Sequence, residues 1–147
     1  MAFRFPLETL LRFRRSVERQ QELKLLEAVR QVMTTMQEIE MVDHTISDIQ
    51  ENEHREMGTA VRGAQLHFDV LRCSLLREQR QELEKVLAQR EKVRARCQDQ
   101  FKSAHREREA VEILREDQLH HFQQEETRRE QRQMDDLFLL RREYLRR

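Results

Sequence analysis

Between residues 25 and 49, apolar or small side chains recur alternately three and four positions apart. They are Leu25, Ala28, Val32, Thr35, Ile39, Val42, Ile46 and Ile49. Sustained over four heptads, that spacing is the a/d seam of a coiled coil, with β-branched residues prominent. A strand would need period two, and the intervening charges fall wrongly for it. Composition sharpens the point: 38% of residues are charged, 37% hydrophobic, and Trp is absent. Such a chain either stays disordered or forms long helices that bury one narrow stripe. The regular spacing, with only two Gly and one Pro, selects the helices.

Pro6 suits the first turn of a helix, and Glu8 suits its positive dipole end. From there helical patterning continues to Met57. Both glycines lie within Gly58-Thr59-Ala60-Val61-Arg62-Gly63. Gly58 is placed to cap the first helix in the left-handed conformation and Thr59 to N-cap the second. The expected architecture is all-α: a long two-helix antiparallel coiled-coil hairpin with an overhanging C-terminal helix. It forms a single coiled-coil domain over 1–147, with helix 1 about 6–57, the turn 58–63 and helix 2 about 64–142.

The second helix offers a seam through Val61, Ala64, Phe68, Leu71 and Leu75, then Leu83, Val86, Arg90, Val93 and Cys97, onward to Val111. It contains two four-plus-four steps, at Gln79 and at Cys97, and each relaxes the supercoil. Arg90 and Arg108 interrupt it. Facing residues are expected to have numbers adding to about 120. The helices differ in length, at roughly 75 Å and 120 Å. Residues beyond about 113 should therefore lack an intramolecular partner, although Leu119, Phe122, Met134, Leu137, Phe138 and Leu140 keep helical spacing.

Near the turn, Leu66, Val70 and Cys73, with Leu76 at their edge, lie almost opposite the Phe68/Leu71/Leu75 face. A hairpin buries one face, so this second apolar cluster is expected to be exposed as an interaction surface. A third helix or a self-dimer would be the plainer explanation. A weaker stripe, Leu26, Val29, Met33 and Met36, makes the same case on helix 1. Charge is also uneven. Net charge is zero, yet residues 31–57 hold seven acids against Arg55, and the first thirty residues hold seven basic groups against four acids. The open end is thus basic, with Arg12, Arg14 and Arg15 its densest cluster and Leu7, Leu10 and Leu11 expected to join the helices there.

Catalytic, metal and cofactor chemistry find no footing in these residues. Glu51-x-x-His54 lacks the second Glu-x-x-His pair and the further Glu residues of a di-metal bundle, and reads as a solvated face. His120 and His121 point about 100° apart. Glycine-rich phosphate loops and Cys-x-x-Cys pairs do not occur. Cys73 and Cys97 are separated by roughly 36 Å of helix, too far for a disulfide, as expected of free thiols in a reducing cytoplasm. The longest apolar run is Leu137–Leu140, far short of the about 20 residues that span a bilayer. Acids interleave the arginine clusters, which argues against nucleic acid as partner.

Phe3-Arg4-Phe5-Pro6-Leu7-Glu8-Thr9-Leu10-Leu11-Arg12, with the Arg-rich turns to Arg19, resembles the N-terminal signature of the flagellar export protein FliJ family. Glu130-Gln131-Arg132-Gln133-Met134-Asp135-Asp136 resembles that family's closing acidic motif, and Met57-Gly58 sits where its members turn. The resemblance implies a non-enzymatic stalk of the bacterial type III export apparatus, similar to the γ-subunit coiled coil of rotary ATPases. Its implied partners are the hexameric flagellar export ATPase, the membrane export gate protein and export chaperones. No nucleic acid, small-molecule substrate or cofactor is implied. It would be cytoplasmic and peripherally associated with the inner membrane. Arg12, Arg14 and Arg15 would then enter the ATPase ring, while Leu66, Val70, Cys73 and Leu76 would meet the gate. The alternative is a generic cytoplasmic coiled-coil scaffold unrelated to secretion.

Overall fold

A computed structural model describes residues 3–56 and 63–146. Two helices account for nearly all of them: α1, Glu8–Glu56, and α2, Gly63–Tyr144. They pack against each other as an all-α two-helix hairpin. The expected caps Gly58 and Thr59 lie outside the described residues. Glu8 in the first turn of α1 and His54 and Arg55 in its last turn complement the helix dipole. Arg141 and Arg142 do the same at the end of α2.

The chain divides into two compact units, one of residues 20–102 and the other of residues up to 19 with those from 103 onward. In the first unit, α1 buries Ala28, Val32, Thr35, Val42 and Ile49 and half-buries Leu25, Ile39 and Ile46. The three–four seam thus faces α2 along its whole length. The helices run antiparallel, since Asp43 meets Arg80 while Thr35 meets Arg90. Numbers of residues that meet across this unit add to between 121 and 125. In the second unit they add to between 121 and 127, from Arg14 with Glu107 to Arg15 with Glu112. Each α1 residue therefore meets α2 about one turn farther along than a value of 120 implies.

Helix α2 contradicts the expected seam near the turn. Cys73 is 5% exposed and Leu76 half-buried, whereas Phe68 and Leu75 are 63% and 66% exposed. Farther on, Leu87 and Arg94 are half-buried, and Val86 and Val93 are exposed. The stripe that α2 uses in this unit is Cys73, Leu76, Arg80, Leu83, Leu87, Arg90, Arg94, Cys97 and Phe101. It alternates three and four without a break, so no relaxing step at Gln79 is needed and the supercoil stays regular. Its polar members find partners. Arg80 Nε donates to Asp43 Oδ1 over 2.5 Å. Arg90 Nη1 donates to the Thr35 hydroxyl (2.5 Å) and the Gln31 carbonyl (3.1 Å), while that hydroxyl donates to the same carbonyl over 2.9 Å. Thr35 can thus be fully buried with its oxygen satisfied.

In the second unit, the buried or half-buried stripe of α2 continues to Phe122, with Glu126 the last half-buried residue. Intramolecular pairing therefore extends past 113. The later register contributes one turn. The non-helical segment before α1 contributes more, because Phe3 packs on Phe122 with ring centroids 5.6 Å apart and Phe5 is buried. Fully exposed helix begins only at residue 127 and persists through Tyr144.

Candidate partner-binding surfaces

The open end of the hairpin is braced by a chain of charges. Glu18 accepts from Arg108 Nε over 2.7 Å and, with the imidazole proton on Nδ1, from His105 over 2.7 Å. Arg108 also pairs with Glu112, which accepts from Arg15 Nη2 over 2.6 Å. Arg14 pairs with Glu107, and Arg115 Nε lies 3.5 Å from Glu8 Oε2. Burial pushes the Glu18 carboxyl up, but the hydrogen bonds and charges of His105 and Arg108 outweigh it, and its pKa falls below the ordinary value. Hydrogen bonds from Arg15 and Arg108 lower that of Glu112 as well. Hydrogen bonds to Glu18 and Glu112 raise that of Arg108. Arg108 is therefore a bridge between helices and not a defect in the seam.

This network divides the expected arginine cluster. Arg12 projects into solvent, its only ion pair among the described residues being with Glu8 on its own helix at 3.6 Å. Arg14 and Arg15 are committed to acids on α2. Those acids lie 93 and 97 positions away in sequence, so only the register identifies them. Of the three leucines expected to join the helices, Leu11 is fully buried, while Leu7 and Leu10 are just over one-third exposed.

Near the turn, the four residues expected on one exposed face separate. Leu66 and Val70 are exposed, but Cys73 is buried and Leu76 half-buried within the seam. Phe68, Leu71 and Leu75 are exposed as well, on the side of the helix away from Leu66 and Val70. The physical reason is rotation of α2 about its axis. The Arg80–Asp43 pair and the unbroken three–four phase turn Cys73 and Leu76 inward, and whatever lies across the helix must then turn out. On α1, Leu26, Met33 and Met36 are exposed, with Val29 half-buried, so the weaker stripe is open to solvent. The overhang exposes Met134, Leu137, Phe138, Leu139, Leu140, Tyr144 and Leu145; the helical spacing of Met134, Leu137, Phe138 and Leu140 pointed to this surface in the sequence.

These surfaces mix exposed apolar side chains with charged ones. Among the described residues no group of His, Cys, Asp and Glu is placed to hold a metal ion, and both cysteines are free. No described helix is long and apolar enough to cross a membrane. The family model for the flagellar FliJ protein matches residues 3–147. No curated protein and no solved structure matches the chain.

Proposed function

The chain belongs to the flagellar FliJ protein family, a family of non-catalytic export components, and from that membership we propose how it performs its flagellar export role. It acts as a stalk that enters the hexameric export ATPase and links the ring to the export gate and to export chaperones. The observation that carries this reading is the family match over 145 positions, residues 3–147, of a chain made of two long helices packed against each other. It works in the cytoplasm, held at the inner membrane through the export apparatus.

The open end is the part that enters the ring. Arg12, Arg14 and Arg15 are its basic residues, with Arg12 the outward cation and Arg14 and Arg15 tying α1 to α2. Near the turn, Leu66 and Val70 are the gate-facing residues, with Cys73 and Leu76 supporting them from the seam. Charges at such an interface chiefly set association rate and salt sensitivity.

ATP hydrolysis by the cognate export ATPase, measured against stalk concentration, tests the reading. The parent chain should stimulate it, and Arg12→Glu should raise the concentration needed about tenfold without loss of helicity. Arg12 is the informative substitution, because reversing Arg14 or Arg15 would also break pairs between the helices. A parent chain that gives no stimulation at any concentration returns the molecule to the generic scaffold.

A further inference from the structure

Of the apolar stripes on the overhang, the one through Met134, Phe138 and Leu145 does not continue the intramolecular seam. Successive residues of a helix turn by 100°. Met134, Phe138, Arg141 and Leu145 therefore centre roughly 140° around α2 from the stripe through Val111, Arg115, Gln118 and Phe122. Helix α1 is not what this face is shaped for. A guanidinium, that of Arg141, also sits in the middle of the face, an unfavourable arrangement for a bilayer surface. Asp135, Asp136, Arg141 and Arg142 make no ion pair within the described residues, although i,i+3 and i,i+4 pairs are common elsewhere on both helices.

We propose that this stripe is the antiparallel dimerisation surface for a second copy of the same chain. Antiparallel coiled coils put an a residue of one helix against a d residue of the other, with e residues meeting e and g residues meeting g along the flanks. With Phe138 and Leu145 at a and Met134 and Arg141 at d, Met134 layers on Leu145 of the second copy. Phe138 layers on Arg141 of the second copy, which places the cation against an aromatic ring. One flank sets Leu137 beside Tyr144 of the second copy. The other sets Asp135 beside Arg142 of the second copy, and two-fold symmetry makes that ion pair twice. The alternative register, on Leu137, Leu140 and Tyr144, would bring Asp136 against Glu143 of the second copy, and like charges disfavour it. The overlap spans roughly 18 Å of helix, enough for a weak, reversible contact. Because dimerisation covers this stripe, the dimer excludes other partners from it.

Sedimentation velocity of the full chain between about 1 and 100 µM tests this. A reversible monomer–dimer equilibrium is expected. Asp135→Arg and Arg142→Asp should each weaken it at least tenfold, and the double variant should restore it. An equimolar mixture of the two single variants should also restore it, since each then meets the opposite charge. Circular dichroism keeps the comparison among folded chains, as neither residue makes an ion pair among the described residues. A parent that stays monomeric, or charge reversals that fail to rescue one another, would overturn the proposal. So would binding of a monomeric parent to phosphatidylserine vesicles, which would assign the stripe to a lipid surface. None of these outcomes depends on ATPase stimulation, so the dimer and the stalk stand or fall separately.

Discussion

Replacing Leu11 by alanine should weaken the open end of the hairpin more than any comparable truncation nearby. Leu11 is 0% exposed, which is unusual for two helices that bury one stripe each. The substitution removes three carbons. At about 0.8 kcal/mol per buried carbon the transfer loss is about 2.4 kcal/mol. The cavity adds to this, and partial collapse of a slender rod limits the addition, giving a total of about 2.5–4 kcal/mol. For a chain of this length that is a fall in melting temperature of roughly 5–15 °C. Leu23 is the internal control, being 51% exposed on the same helix, and its truncation should cost less than about 1 kcal/mol. Thermal unfolding by circular dichroism compares the two variants, and hydrogen exchange shows whether opening starts near residues 8–18. Melting temperatures that agree within about 2 °C would refute the argument that Leu11 is enclosed.

Two further outcomes probe the seam and its charges. Leu76→Asp should destabilise by about 1–3 kcal/mol while Phe68→Asp changes stability by less than about 0.5 kcal/mol, in urea unfolding; the reverse order would put the seam of α2 on its other face. Glu18 and Glu112 titrate lower folded than unfolded, so their stabilisation is complete above the unfolded value near pH 4 and is lost as pH falls through the folded values. The melting temperature should therefore drop on acidification below about pH 5, and Glu18→Gln should shrink that drop; an identical pH profile for the variant would count against the network.

The all-helical hairpin and the seam of α1 were legible in the sequence because hydrophobic spacing is a local signal. Ile39, Val42, Ile46 and Ile49 leave a helix no other stripe of comparable strength to bury. Helix α2 held no such bias. Phe68, Leu71 and Leu75 compete with Cys73 and Leu76 for the same partner, and the larger side chains suggested the wrong face. Tertiary structure decided between them through continuity and charge. The phase that keeps three–four alternation also places Arg80, Arg90 and Arg108 opposite Asp43, Thr35 and Glu18, acceptors contributed by the other helix. Arg90 and Arg108, which interrupt the expected seam, are thus bridges of the observed one. The same holds for Arg14 and Arg15, which a linear reading cannot separate from Arg12. Helical periodicity specifies that each helix has an inside, but rotation about its axis and register along its partner are properties of the pair. Long-range ion pairs between residues some ninety positions apart, as between Arg14 and Glu107, exist only once that register is set.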